Sequence, residues 1–203
     1  MKQRLINHIE SIQDPALRKT CESILTIEKF FTWPASLSFH HAYEGGLLAH
    51  TVEVCDIALM TFASSQLAGG FPDSRNPESR DILIAAALWH DVMKVEEYIV
   101  ADRRVCETTV ARHVPFNMHD SWIKDYSRVK MFGDHEHIIA GASFFQKSAW
   151  FNNVRVGTID AITHCILAHH GRKDWGSPVE PQTLEALILH QADMMSAKFG
   201  ATK

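Results

Sequence analysis

The sequence predicts an all-α fold, a bundle of about six or seven helices with room for one small β-hairpin near 97–110. Three observations carry that expectation. Apolar residues recur at helical spacing through most of the 203 residues. Helix-start and helix-stop residues bracket those stretches, notably Asp14-Pro15, Gly45-Gly46 and Gly171. Hydrophobic residues make up 46% and charged residues 22% of the chain, enough to build one buried core without disulfides or a disordered composition.

Taken in order, the first 38 residues read as an N-terminal helical extension packed on a core domain spanning 39–203. Asp14 caps a helix with Pro15 at its first position, and Leu17, Cys21, Ile24, Leu25 and Phe31 follow at helical spacing. Glu28 interrupts that stripe, and Trp33-Pro34 stops the helix. Gly45-Gly46 opens a long helix from Leu47 to Leu67, and Gly69-Gly70 begins the next loop. Ser79 to Met93 is apolar almost all round between Ile82 and Trp89, the mark of a central helix. Residues 97–110 are rich in β-branched side chains around Asp102-Arg103 and suggest the hairpin. Asp134 to Phe151 and Val156 to His170 read as helices, the second ended by Gly171, and a last helix runs from about Gln182 to Phe199.

Composition narrows the function. A net charge of -4 gives no global basic excess for coating nucleic acid. No unbroken apolar run has the length of a membrane span, and the N-terminus has no apolar core of a secretory signal. Cys21, Cys55, Cys106 and Cys165 form no CxxC pair and read as reduced residues of a cytoplasmic protein.

The unusual feature is 13 histidines spread from His8 to His190. Three groups fall at helix ends or on buried helices: His50, the pair His90-Asp91 behind AAALW, and His169-His170 before Gly171. His137 and Asp193 stand on the neighbouring helices. A buried Asp91 carboxylate needs a proton or a cation. Imidazole with carboxylate suits Mn, Fe, Co, Ni, Zn or Mg. Adjacent residues on a helix point about 100° apart, so His90 and Asp91 can share one ion only at an opened turn, or can help serve two.

The order His, His-Asp, His, His-His, Asp resembles that of the HD-domain metal-dependent phosphohydrolases, from about His40 to Lys198. HHAYEGGLLAHT, HHGRKDWGSPVEP and EALILHQADMMSAK look especially like the HD catalytic domain of bacterial 3′-to-5′ exoribonucleases. Those enzymes usually carry an OB-fold domain in front, whereas the residues ahead of His40 here read as helices. No Gly-Tyr-Pro follows His169-His170, unlike the cyclic-di-GMP phosphodiesterases of the superfamily.

The resemblance implies an HD helical bundle and one or two divalent ions. His50, His90, Asp91 and Asp193 would hold one ion. Asp91, His137, His169 and His170 would hold a second, with Asp91 bridging. A metal-bound hydroxide would attack a phosphoester, and Lys94 would steady the phosphate from the helix face it shares with His90 and Asp91. Asp91 and Lys94 are thus the catalytic candidates. Lys94, His41, Arg172 and Lys173 are the substrate-binding candidates, with Tyr43 at the pocket mouth and Trp175 a stacking candidate. The expected substrate is a phosphorylated small molecule such as a nucleotide, or a short single-stranded nucleic acid, with no membrane partner. The rival expectation is a non-catalytic HD-type regulator that binds a nucleotide or protein. A di-iron oxygenase is a more distant third.

The remaining histidines take blander readings. His135 points away from the site, His164 packs, and His8, His113 and His119 lie at the surface. His190 shares a helix face with Asp193 and reads as an outer partner orienting a carboxylate, or as packing. Glu53, one turn beyond His50, reads as an ordinary helix residue, with an outer-shell role the minor alternative.

Overall fold

The computed structural model describes residues 1–67, 77–104, 122–128 and 136–200. The fold is all-α. Among the described residues there are eight α-helices: α1 (Lys2–Glu10), α2 (Pro15–Glu22), α3 (Glu28–Thr32), α4 (Gly46–Leu67), α5 (Pro77–Trp89), α6 (Glu136–Phe151), α7 (Val156–Ala168) and α8 (Leu184–Gly200). A two-stranded ribbon joins β1 (Tyr98–Arg104) to β2 (Trp122–Arg128), antiparallel, with Tyr98 opposite Arg128 and Arg104 opposite Trp122.

Two local expectations are corrected. The hairpin is not closed within 97–110: β1 runs straight through Asp102-Arg103, and its partner lies at 122–128. Asp-Arg lacks the positive-φ preference of a tight hairpin turn, so nothing there reverses the chain. The single helix expected after Pro15 is broken by a 3₁₀ turn at Ser23–Thr26, which raises the helix count above six or seven. Ser23 Oγ donates to the Thr20 carbonyl and Thr26 Oγ1 to the Ser23 carbonyl, and such local bonds compete with the α-helical ladder.

α5 is the axis of the bundle. Leu83 to Trp89 are completely buried, and the helix packs against α2, α4, α7 and α8. Truncating one of these side chains, such as Leu88→Ala, would cost about 2–5 kcal/mol. The N-terminal helices join the same core through Leu5, Ile9, Ile12 and Leu17. They are pinned polarly as well. Asp14 accepts from the Ala16 and Leu17 amides at the start of α2, and Asp81 on α5 accepts from the Gln13 and Asp14 amides.

Gly46–Ser65 is, by length and composition, apolar enough to cross a membrane, although Glu53 and Asp56 interrupt it. In the bundle 61% of that window is buried, and the helix lies in the core against α5 and α8. Cys21, Cys55 and Cys165 are buried free thiols, and Cys106 lies outside the described residues.

Candidate metal centre

The site forms where helices stop. α5 ends at Trp89, so His90 and Asp91 occupy the opened turn that a shared site requires, with Asp91 at φ -115°, ψ 5°. The His90 ring turns back, and Nδ1 donates to the Ala87 carbonyl at 2.8 Å, one of the carbonyls a helix end leaves free. α7 repeats the device. It ends at Ala168, and His169 Nδ1 donates to the Ile166 carbonyl at 2.6 Å. Gly171 then turns the chain at φ 81°, and a Cβ there would stand 2.2 Å from the His190 ring, so only glycine fits. At the start of α4, a Cβ on Gly46 would meet the His41 carbonyl at 1.9 Å. That close approach sets the helix carrying His50 against the preceding loop.

Seven of the sequence candidates converge. His50 Nε2 lies 3.1 Å from Asp193 Oδ1 and 3.4 Å from Asp91 Oδ2, and His90 Nε2 lies 3.4 Å from the same Asp91 oxygen. On the other side of that carboxylate, Asp91 Oδ1 is 3.5 Å from His137 Nε2 and 3.7 Å from His169 Nε2. The His170 ring stands 4.4 Å from that of His169 and 5.4 Å from that of His137. His50, His90, Asp91, His137 and His169 are all buried.

Every imidazole is oriented through Nδ1. Besides His90 and His169, His170 Nδ1 donates to the Trp175 carbonyl at 3.1 Å, and His137 Nδ1 to Glu97 Oε1 at 2.5 Å. Carbonyl and carboxylate oxygens only accept, so in these four rings Nδ1 is the donor and Nε2 is the nitrogen left to face the site. His50 Nδ1 meets Ser196 Oγ at 3.0 Å, and the Ser196 hydroxyl in turn donates to Glu53 Oε2 at 3.1 Å. The serine oxygen therefore accepts from His50 Nδ1–H, and His50 Nε2 faces Asp193 and Asp91.

The donor set fits a cation. Asp91 Oδ1, His137 Nε2 and His169 Nε2 are buried without a hydrogen bond, an arrangement that costs roughly 1–3 kcal/mol per group unless something else satisfies it. His50 and His90 bring two Nε2 atoms to 3.3 Å, where lone pairs repel unless a proton or cation lies between them. The triads His50–His90–Asp91 and His137–His169–His170 each gather their ligand atoms within 4.8 Å. So does His40–His41–His50.

Electrostatics follow from this packing. Burial alone would push the Asp91 carboxyl up, but Lys94 and His90 hold it well below the ordinary range. Burial likewise opposes charge on Asp193, and its bond to His50 overcomes that. Burial disfavours a proton on His50, yet Asp193 and Asp91 raise its pKa. Burial, then the neighbouring His170 and His90, push His169 well down. Burial and His137 push His170 down to about 4. The carboxylates are thus ionised, and His169 and His170 are neutral, as ligands must be.

Other candidates lie differently from expectation. Lys94 is not on the helix of His90. It sits in a 3₁₀ turn, Val92–Glu96, is 8% exposed rather than solvated, and places Nζ 2.6 Å from Asp91 Oδ2. Burial opposes its charge, but Asp91 raises its pKa. His41 is buried with φ 46°, and its Nε2 donates to Glu53 Oε2 at 3.0 Å. Arg172 and Lys173 are exposed. The Arg172 guanidinium is paired with Asp174 at 2.9 Å and lies over the Trp175 ring. Tyr43 is exposed. His190 Nδ1 donates to the His169 carbonyl at 2.9 Å, so it braces the turn. His8 bonds to Asp56, and His164 Nε2 accepts from the Gln182 amide. His113, His119 and His135 lie outside the described residues.

Sequence reasoning missed Glu97, Ser196 and His40. Glu97 follows the His-Asp pair by one short turn and is 40 residues from His137. The His40 ring lies 4.6 Å from that of His50, and burial with the nearby His50 and Lys94 lowers its pKa to about 3. The His40-His41 doublet was a signal in plain view.

A His-Asp doublet at an opened helix end, faced by imidazole Nε2 atoms and a second aspartate, is a donor set suited to divalent ions. The family model described as HD domain matches residues 47–198, and the chain belongs to that family. It is similar to the 3'-5' exoribonuclease YhaM of Geobacillus sp. (strain WCH70), at 27% identity over 202 residues, 98% of this chain and 52% of that protein. The YhaM of Oceanobacillus iheyensis is 23% identical, over 98% of this chain and 53% of the relative. The dihydroneopterin 2',3'-cyclic phosphate phosphodiesterase of Methanocaldococcus jannaschii is 29% identical over 97% of this chain and 69% of its own length. The chain spans about half the length of the YhaM relatives. No solved structure matches.

Proposed function

We propose that the protein hydrolyses a phosphodiester of a nucleotide or a short single-stranded nucleic acid with one or two divalent ions. The observation that carries this reading is the common orientation of the imidazoles. Each spends Nδ1–H on a fixed acceptor, and the Nε2 atoms of His50, His90, His137 and His169 lie 3.4–3.7 Å from Asp91.

His50, His90, Asp91 and Asp193 would hold one ion, and Asp91, His137, His169 and His170 a second. Bound there, divalent ions supply Lewis acidity toward a phosphoryl oxygen and lower the pKa of water. Lys94 keeps Asp91 ionised and adds a buried positive charge beside it. In a site of low dielectric such a charge favours an anionic phosphoester and the charge that develops on its non-bridging oxygens. The names of the relatives, an exoribonuclease and a cyclic phosphate phosphodiesterase, both denote cleavage of diesters, which favours a diester here.

The test uses Mn²⁺ with Asp91→Ala as the blank. The substrates are a 5′-labelled single-stranded RNA, a 2′,3′-cyclic nucleotide, and a mixture of nucleoside mono-, di- and triphosphates. Shortened RNA or an opened cyclic phosphate, present only with Asp91, is the expected result. Release of phosphate from the nucleotide mixture alone would replace the diester reading with a monoester one. No Asp91-dependent turnover in any arm would overturn the enzymatic reading in favour of a binding module.

A further inference from the structure

We propose that Glu53 is a positioning residue that fixes the tautomer of His50 and ties the His40–His41 corner to the same point. The proposal rests on the reading of His50 as a metal ligand, and it adds what makes His50 competent.

His50 and Glu53 stand one turn apart on α4, and Asp193 and Ser196 stand one turn apart on α8. The two pairs face each other as a closed ladder. His50 Nε2 lies 3.1 Å from Asp193 Oδ1, His50 Nδ1 lies 3.0 Å from Ser196 Oγ, and Ser196 Oγ donates to Glu53 Oε2 at 3.1 Å. A carboxylate only accepts, so Glu53 takes the hydroxyl proton of Ser196 as a hydrogen bond. The serine oxygen is left to accept from His50 Nδ1–H, so Nε2 is the nitrogen left to give up its proton to a cation. Without Glu53, the serine hydroxyl is free to donate to His50 Nδ1. That reverses the tautomer and holds the proton on the nitrogen that faces Asp91 and Asp193.

The same carboxylate oxygen also accepts from His41 Nε2 at 3.0 Å. His41 needs such an anchor. It is buried at a φ of 46°, which a non-glycine residue adopts at a cost. It is wedged between Gly46 and Gly200, where added Cβ atoms would stand 1.9 Å and 2.4 Å from its carbonyl oxygen and its Nδ1. Glu53 thus joins α4, α8 and the loop ahead of α4 at a single oxygen.

The experiment compares wild type with Glu53→Ala, Glu53→Gln and Ser196→Ala. Imidazole ¹⁵N shifts of the metal-free proteins report the His50 tautomer, and titration with Mn²⁺ reports affinity. Wild type should hold the proton on Nδ1 of His50. Glu53→Ala and Ser196→Ala should mix the tautomers and lose ~10–100-fold in Mn²⁺ affinity, the usual loss for an outer-shell partner. Glu53→Gln keeps an acceptor oxygen and should stay near wild type in both measures. An unchanged tautomer and affinity in Glu53→Ala overturns the proposal, as does equal damage from Gln and Ala. If wild type binds no Mn²⁺, the metal reading fails, and the tautomer spectrum still decides the role of Glu53.

Discussion

The two oxygens of Asp91 face two differently furnished halves of one site. Around Oδ2 stand Lys94 at 2.6 Å and His50 and His90 at 3.4 Å, with Asp193 beyond. Around Oδ1 stand His137 and His169, and neither their Nε2 atoms nor Oδ1 itself has a hydrogen bond. The Oδ2 half can satisfy itself with the lysine charge and a proton on His50, whose pKa the two carboxylates raise against burial. In the Oδ1 half burial pushes the His169 pKa well down, and three polar atoms stand without a hydrogen bond. One half can therefore balance its charges within the protein, and the other leaves three buried polar atoms without a hydrogen bond.

The most severe test removes the residue both halves share. Asp91→Ala should abolish turnover, by at least ~10³-fold, and divalent-ion binding on both sides. It also strands the buried Lys94 ammonium, which should cost about 3–5 kcal/mol in a urea titration. Adding Lys94→Met should recover much of that stability and none of the turnover. Full stability in the single variant would mean Lys94 has another counter-charge.

The next largest effect is the stabilisation that ions confer. Mn²⁺ at a hundred times its Kd should add about 2.7 kcal/mol for each site that binds only the folded protein. The increment should shrink most in His137→Ala and His169→Ala. Equal shrinkage in His50→Ala would break the comparison between the halves.

Glu97→Ala sharpens it further. Loss of the carboxylate that holds His137 Nδ1 should weaken the Oδ1-side ion by ~10–100-fold in isothermal titration. Binding on the Oδ2 side should hold.

The smallest effect is on pH dependence, in the metal-free protein. Burial is the main cause that lowers His170 to about 4 and His40 to about 3 from an ordinary 6.5. Between about 6.5 and 4 the unfolded chain binds protons that the folded chain refuses, so stability falls as the pH drops through that window. His50 has the opposite sense. Its contribution is complete below its ordinary value and is lost only as pH rises through its raised folded pKa. Asp91 and Asp193, both lowered, contribute fully above the ordinary carboxylate range and lose that only in stronger acid. The slope between pH 6.5 and 4 therefore belongs to the lowered histidines, and His170→Ala should flatten it.

Four of the candidate residues were legible because they lie beside helix ends. Asp14-Pro15, Gly46 and Gly171 mark where helices start and stop, and His90, Asp91, His169 and His170 sit within two residues of such a stop. Local rules failed where a short polar residue or a short turn intervened. Ser23 and Thr26 split the first long helix, and the turn at Val92–Glu96 buried Lys94, which a continuous helix would have left at a solvated end. The ribbon escaped because β1 pairs with residues beyond 120, and pattern within a segment carries no record of its partner.

By itself the sequence determined the all-α class, where most of the long helices lie and the kinds of side chain available on them, since those follow from spacing, capping and composition. Only the tertiary structure decided which nitrogen His50 and His137 offer. That choice depends on an acceptor elsewhere in the fold. Ser196 is 146 residues from His50, and Glu97 is 40 residues from His137. For His90 and His169 a carbonyl three residues back in the same helix makes that choice, but for His50 and His137 no group of their own helix does. A hydrogen-bond acceptor fixed by packing does.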